Sequence, residues 1–532
     1  MDRKGTRHFT YLCRRMPDIR KDYTKRMTLL LAVSLLARCV IAALTELGND
    51  EVYYWTYAAF PDWSHFDHPP MVGWIIQLFT FNLHWDSAFA LRLPALVLGT
   101  FNTWMMYRLG VLLKNPRTGW YAALLHTGSL YATILAGTFI LPDTPLGTFY
   151  LLSLFFMFKA CGLGPKQERK GPEPVMFIPA GIFTGLAMLS KYTGIFLWAG
   201  TFLFVLFYRR SIFKNLYFWL GILVSVMLFL PVVIWNLTQD YSSFAFHSER
   251  ISFFGEGIKP FLLGREIIGG FLYNNPVNYI LIIWAILVVR PFTAGLKRMI
   301  LLQSVPLIAT FIFFSLFRET LPHWSAPAFY PLILLAAAVA DVRSLGRVVY
   351  GSVVFLLIVV FGGVLEIKTG IIPLTPAVSK DEPHSADPYK ELGRKDFTLD
   401  MYGWKQLGDH FAEVSRQQEA LYLQTGGKQG MPQKSAILAH RWFPAAHLDY
   451  YVARPAGTVV KTTGPVERTH KYRQITKLRG GIAPGEKLYY IESSRFPEQI
   501  SNSVPLDTFF VHRCGKPVIR YVIHTLEFHS GK

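Results

Sequence analysis

KRMTLLLAVSLLARCVIAALTELGNDE, residues 25–51, decides the fold. Lys25 and Arg26 precede an apolar run of roughly 28–47, and two adjacent carboxylates, Asp50 and Glu51, follow it. As a helix, about 20 apolar residues cross a hydrocarbon core of about 30 Å. The run lacks a small-residue cleavage site and follows a basic segment holding Arg3, Lys4, Arg7, Arg14, Arg15, Arg20 and Lys21. It therefore reads as a retained first membrane helix and not a signal peptide.

Comparable runs recur at about 87–113, 119–140, 145–162, 176–190, 192–208, 215–237, 276–290, 299–316, 327–340 and 348–366. Together they predict a polytopic α-helical membrane protein with a bundle of about eleven transmembrane helices. The fifth and sixth runs are short and meet at Ser190-Lys191-Tyr192-Thr193, which predicts a broken or partly re-entrant pair. Composition agrees, since 52% of the 532 residues are hydrophobic and 17% charged, with a mean hydropathy of +0.28. Soluble proteins carry about 25% charged residues.

The net charge of +19 sits in short clusters between apolar runs. The N-terminus, Lys114/Arg117, Lys166/Arg169/Lys170, Arg209/Arg210/Lys214, Arg290/Lys297/Arg298 and Arg343/Arg347 all fall on one side if the spans alternate. The positive-inside rule makes that side cytoplasmic, and a basic surface for nucleic acid is excluded. Three regions follow: a basic cytoplasmic N-terminus at 1–27, a membrane domain at 28–366, and a small soluble α/β domain at 367–532 on the outer face. Short β-like runs such as Lys487–Glu492 and Val518–His524, parted by Gly and Pro, mark the last. The four cysteines, Cys13, Cys39, Cys161 and Cys514, form no metal or disulfide framework.

The outward loops carry the chemistry-bearing residues. Asp50-Glu51 stands at a membrane exit, where a carboxylate can act as general base toward an acceptor or simply cap a helix. His65-Phe66-Asp67-His68-Pro69-Pro70 packs three ligand types against a double proline, suited to a divalent cation, a phosphate or a rigid turn. Leu141-Pro142-Asp143-Thr144-Pro145 offers Asp143 as a helix cap or a site carboxylate. Lys191 between two apolar runs is costly unless paired or facing a wet cavity, and a phosphate would satisfy it. Arg38 and Arg92 within spans raise the same question, with an intramembrane ion pair as the structural answer. His247 with Arg250, and His323-Trp324, complete the outward basic and imidazole groups. His440, His447 and Asp449 read as polar packing in the soluble domain. Asn236-Leu237-Thr238 matches a glycosylation acceptor pattern.

The order Asp50-Glu51-x-Tyr53-Tyr54-Trp55, then His65 to Pro70, then Leu141 to Leu146 resembles the bacterial dolichyl-phosphate-mannose protein mannosyltransferase-like family. This is glycosyltransferase family 39, related to the lipid A aminoarabinose transferases. Leu189-Ser190-Lys191-Tyr192-Thr193, Trp235-Asn236 and His323-Trp324-Ser325-Ala326-Pro327-Ala328 extend the likeness, which covers about residues 28–340. The resemblance implies a GT-C fold in a bacterial inner membrane, an outward-facing (periplasmic) site and a polyprenyl-phosphate-linked sugar donor. The acceptor is a glycan, lipid or protein.

By resemblance, Asp50 is the base candidate, with Glu51 beside it, and Asp143 lies near the sugar. Asp67 matches an acidic position that helps hold a metal in the aminoarabinose branch, so a divalent cation is a candidate cofactor, with His247 as second ligand. The next residue there is usually a phosphate-binding lysine, but here it is His68. Lys191, His68, Arg250, His323 and Tyr54 are the substrate-binding candidates. The reading from a different class is a lipid-linked-sugar transporter or flippase. Such a protein would show an internal repeat, and none is evident in the sequence.

Overall fold

The computed structural model describes residues 3–164, 171–239, 243–244, 248, 257–287, 292–372, 374, 389–498, 500 and 502–529, with the backbone alone for 3–21. The chain divides into two compact units, one of residues 1–42 and 62–359, the other of 43–61 and 360–532.

The first unit is helical. In chain order its helices are α1 (Arg3–Leu44), which runs two residues into the second unit, α3 (Met71–Phe79), α4 (Ala88–Leu113), α5 (Pro116–Gly128), α6 (Asp143–Ala160), α7 (Phe177–Ser190), α8 (Phe196–Tyr208), α9 (Leu216–Thr238), α10 (Pro260–Tyr273), α11 (Pro276–Leu287), α12 (Ala294–Ser315), α13 (Phe329–Val342) and α14 (Gly346–Thr369), which ends in the second. The helix α2 (Asn49–Ala59) belongs to the second unit.

Each of the eleven predicted apolar runs is helical over most of its length, but the count of eleven spans is not reproduced. Among the described residues five helices are long and apolar enough to cross a membrane: Asp22–Leu44 within α1, and α4, α9, α12 and α14. A sixth is reached if α10 and α11, bent by 101° at Asn274-Asn275, are taken as one span. The other runs form shorter or less apolar helices, and one is interrupted. Residues 119–140 split where Ser129 turns extended, with φ −76° and ψ 125°, and a π-helical turn at Tyr131–Leu135 follows.

Small residues draw the central helices together. A Cβ on Gly181 of α7 would lie 2.1 Å from the carbonyl oxygen of Gly221 on α9, so only glycine fits. Ser225 Oγ on α9 donates to the Gly181 carbonyl at 2.6 Å. Ser153 on α6 donates to the Ala180 carbonyl at 3.1 Å and bonds Thr184 at 2.8 Å. Close backbones and hydroxyl bridges drive helix association where apolar burial offers little gain. Because α6 and α7 are antiparallel neighbours, the first residue of α6 meets the residue just after α7, and those residues are Asp143 and Lys191.

The second unit holds a five-stranded sheet in the order β2-β1-β3-β5-β4. The short β1 (Ile437–Ala439) lies between and parallel to β2 (Val460–Thr462) and β3 (Lys487–Ser493). β5 (Lys516–Glu527) is antiparallel to β3 and to β4 (Val504–Arg513). Cys514 and Gly515 close the β4–β5 hairpin, both at positive φ (49° and 78°), as a two-residue turn between twisted strands requires. The predicted α/β character of this region is therefore observed, with Lys487–Glu492 and Val518–His524 inside β3 and β5.

Residues 43–61 are built into this unit. The Tyr53 ring lies 4.8 Å from Trp442 and Trp55 lies 5.3 Å from Tyr450. The Glu46 carboxylate accepts from the backbone N–H groups of Trp404 (2.9 Å) and Lys405 (3.3 Å), filling orphan donors at the start of α15 (Trp404–Gln424). Burial pushes the Glu46 carboxyl up, and those two N–H groups oppose the shift.

Candidate functional site

In the membrane unit two of the predicted residues, Lys191 and His323, act on a third, Asp143. It was open whether this carboxylate caps α6. Pro142 occupies the cap position without a side-chain cap, and Asp143, 2% exposed, turns to other partners. Lys191 Nζ donates to both of its oxygens, at 3.0 and 2.9 Å, and the Tyr131 hydroxyl donates to Oδ1 at 2.9 Å. Lys191 is able to do so because the chain breaks there. Its own backbone is extended, with φ −157° and ψ 139°, and a 3₁₀ turn at Tyr192–Ile195 reopens the path into α8. The predicted break between the fifth and sixth apolar runs is thus present, and its function in the fold is to aim a lysine.

The Tyr131 ring is stationed by the π-helical turn after α5 and packs 6.1 Å from Tyr330 of α13. Tyr131 and Tyr330 escaped the sequence reading, because neither carries a charge nor sits in a motif. His323 stands in the connection before α13, its ring 6.1 Å from Tyr273. Desolvation and the Lys191 ammonium push its imidazole down to about 4, against the opposing pull of Asp143. His323 is therefore neutral at physiological pH and electrostatically coupled to the pair.

The turn at 62–70 is buried at Ser64, His65 and Phe66, and half-buried at Asp67 and His68. The His65 N–H donates to the His68 carbonyl at 3.2 Å, tightening the turn ahead of Pro69-Pro70, and α3 starts at once after Pro70. Tyr192 lies in the field of Asp67 and bonds Ser243 Oγ at 2.8 Å. The first loop and the α7–α8 break therefore share one neighbourhood. Among the described residues no group of three or more His, Cys, Asp or Glu side chains is arranged for a metal ion. His247 and Arg250 lie outside the described residues, so the described part of the proposed cation site offers Asp67 alone.

Arg38 takes neutral partners. Arg38 donates to the Ser34 carbonyl (3.2 Å), the Gly137 carbonyl (3.2 Å) and Thr100 Oγ1 (2.8 Å), with no carboxylate in that set. Arg92 donates to the Ala42 carbonyl at 3.0 Å and lies over the Phe139 ring at 5.1 Å. Asn236 is fully buried and its amide donates to the Val232 carbonyl at 2.9 Å, which removes it as a glycosylation acceptor.

In the second unit Asp50 and Glu51 part company. Glu51 is 2% exposed, and its Oε2 accepts from the Gly48 N–H at 2.9 Å, closing the first turn of α2 as a capping box does. Asp50, one residue earlier, is exposed. Tyr54 is buried, its ring 5.3 Å from Tyr57. His447 stacks on Trp404 at 4.1 Å and meets Asn49 Oδ1 at 2.9 Å, whereas Asp449 pairs with Arg479 at 2.9 Å and Tyr472 at 3.0 Å. Those two serve packing, as expected, and share no site.

The stretch from the 62–70 turn to the end of α9 thus holds Asp67, Asp143, Lys191 and Trp235. Residues 67–235 match the dolichyl-phosphate-mannose-protein mannosyltransferase family. The resemblance read from the motifs is borne out on the segment that carries the Asp143–Lys191 pair. The lipid A galacturonosyltransferase RgtD of Rhizobium johnstonii is 22% identical over 306 residues, covering 55% of this chain and 60% of the relative. The chain thus spans less than two thirds of that curated protein. ArnT from Cupriavidus metallidurans is 15% identical, with a TM-score of 0.57 in its apo state and 0.58 bound to undecaprenyl phosphate. Both alignments cover 94% of this chain and 98% of ArnT, so the chain is similar to ArnT in fold over that length.

Proposed function

We propose that this protein is a membrane glycosyltransferase. It moves a sugar from a polyprenyl-phosphate carrier to an acceptor at the periplasmic face of a bacterial inner membrane. The observation that carries the reading is the buried Asp143–Lys191 pair, held by Tyr131, inside the mannosyltransferase-family segment. An ion pair placed at a deliberate break between two apolar helices costs desolvation, and such residues mark substrate paths by default. Undecaprenyl phosphate bound to ArnT and lipid A as the substrate class of RgtD favour a polyprenyl donor and a lipid acceptor over a glycan or protein acceptor.

The chemistry needs two opposite charges. As the bond from the anomeric carbon to the phosphate oxygen breaks, positive charge builds on the sugar and negative charge on the phosphate. Asp143 serves the first and the Lys191 ammonium the second. Asp50, exposed in the first turn of α2, is the base that takes the proton of the attacking hydroxyl. Glu51 supports it by fixing that turn. His68, His323, Tyr54 and Arg250 remain the substrate-binding candidates. A divalent cation on Asp67 and His247 is a separate element of the proposal, tested by EDTA treatment and readdition of Mg²⁺ or Mn²⁺; transfer unaffected by both removes it.

A single displacement inverts the anomeric carbon. The deciding experiment incubates the purified full chain in detergent with undecaprenyl-phosphate sugars and lipid A, and reads transfer and product stereochemistry. Transfer in detergent, where flipping has no meaning, also separates the enzyme from a flippase. Retention of configuration would sink the single-displacement mechanism.

A further inference from the structure

The membrane unit carries a second feature that the Asp143 cluster does not use. A cavity of about 470 Å³ is lined by Asp62, Trp63, Pro231, Ile234, Trp235, Thr238 and Gln239. Its volume lies within the range of small-molecule sites. Two of its walls are indole rings. Trp63 is 61% exposed and is held edge-on against Trp74 at 6.1 Å and 90°. Trp235 is 7% exposed, and its Nε1 has no hydrogen-bond partner among the described residues.

Tryptophans at a membrane boundary are usually belt residues that keep the ring in lipid and the N–H in the wet headgroup layer. Trp63 fits that description and Trp235 does not. A buried indole N–H normally finds an acceptor, and leaving that bond unmade is costly. The cavity lining also includes a carboxylate at Asp62, a hydroxyl at Thr238 and an amide at Gln239. The first accepts from the Trp63 backbone N–H at 2.7 Å and the second donates to the Trp235 carbonyl at 2.8 Å, so the indole N–H is the group that calls for an acceptor. An isoprenoid or acyl chain offers it none, whereas a sugar ring lays its C–H face on an aromatic wall and lets a hydroxyl accept from the indole. The chain around the cavity is tied to the α7–α8 break. Ser64 and Asn236, the sequence neighbours of Trp63 and Trp235, both lie against Tyr192, the residue after Lys191.

We propose that the Trp63–Trp235 cavity is a carbohydrate subsite that seats a pyranose ring, with Trp235 Nε1 donating to a ring hydroxyl. The assignment deepens the glycosyltransferase reading and rests on it for the source of the sugar, whether acceptor or lipid-linked donor.

Binding is tested without catalysis. Saturation-transfer NMR on the full chain in detergent uses D-mannose and D-galacturonate as probes, against Trp63→Ala and Trp235→Phe, the latter keeping a ring and losing the N–H. The expected result is saturation of ring protons by the wild type, lost in Trp63→Ala and at least halved in Trp235→Phe. No saturation of either sugar by the wild type overturns the subsite, as does equal saturation by wild type and Trp235→Phe. The far-ultraviolet circular dichroism and thermal midpoint of each variant must match the wild type; Trp63→Leu replaces Trp63→Ala, and Trp235→Tyr replaces Trp235→Phe, where they do not. A second arm measures KM separately for lipid A and for the undecaprenyl-phosphate sugar. A rise of about fivefold or more in Trp235→Phe for the first assigns the ring to the acceptor, and for the second to the donor. If the protein transfers nothing, the glycosyltransferase reading fails while the binding result stands alone.

Discussion

Lys191 Nζ lies within 3.0 Å of both carboxylate oxygens of Asp143, and both side chains are almost wholly buried. Removing one partner strands a buried charge, which costs about 3–5 kcal/mol, whereas replacing both is often neutral. Lys191→Met and Asp143→Leu should each lower the thermal midpoint of the detergent-solubilised protein. The double variant should recover much of that loss and remain inactive in transfer. Additive midpoints in the double-mutant cycle would show that the pair is not coupled.

Tyr131 supplies the third bond to Asp143, and a neutral donor to a charged acceptor is worth about 1.5–3 kcal/mol. Tyr131→Phe keeps the ring against Tyr330 and removes only the hydroxyl. The expected outcome is a fold intact by circular dichroism with kcat reduced about tenfold or more. An unchanged kcat would leave Tyr131 as packing alone.

Asp50 and Glu51 should separate cleanly under mutation. Asp50→Asn is expected to abolish transfer, with little change in thermal midpoint, because the residue is exposed. Glu51→Gln still accepts from the Gly48 N–H and should keep most activity, while Glu51→Ala forfeits a cap worth about 0.5–2 kcal/mol. The reverse pattern, with Asp50→Asn active and Glu51→Gln dead, would move the base by one residue.

His323 carries the clearest pH signature. Its imidazole is held near 4 in the folded chain, below its ordinary value near 6.5. The neutral form is therefore the one the fold prefers. Its contribution is complete above pH 6.5 and drains away as pH falls toward 4, where protonation places a cation beside Lys191. Thermal midpoints of wild type and His323→Gln, measured from pH 4 to 8, should differ most at neutral pH and converge at the acid end. Parallel curves would free His323 from the pair.

The membrane architecture was legible because bilayers demand long apolar runs, and every such run became helix. The number of crossings was not, since hydropathy does not register a break such as Ser129 or the 101° bend between α10 and α11. Charged members of the site, Asp143 and Lys191, announced themselves by the cost of burying them. Tyr131 and Tyr330 did not, because aromatic residues are abundant in any apolar helix and only tertiary placement gives one a role. The choice between Asp50 and Glu51 also needed coordinates, for two adjacent carboxylates point about 100° apart on a helix.

The stretch 43–61 leaves the bundle after α1 and is folded into the unit that ends the chain. Deletion mapping at this protein would mislead for that reason. A chain cut near residue 360 would strip Tyr53 and Trp55 of the Trp442 and Tyr450 rings they lean on, and deprive Glu46 of the N–H groups it binds. The turn that presents Asp50 would lose its footing, and the truncated protein would score as dead whatever the C-terminal residues do in the reaction. The tail is better understood as a late-synthesised clamp on an early-synthesised helix, so the ribosome must finish before that helix acquires its neighbours.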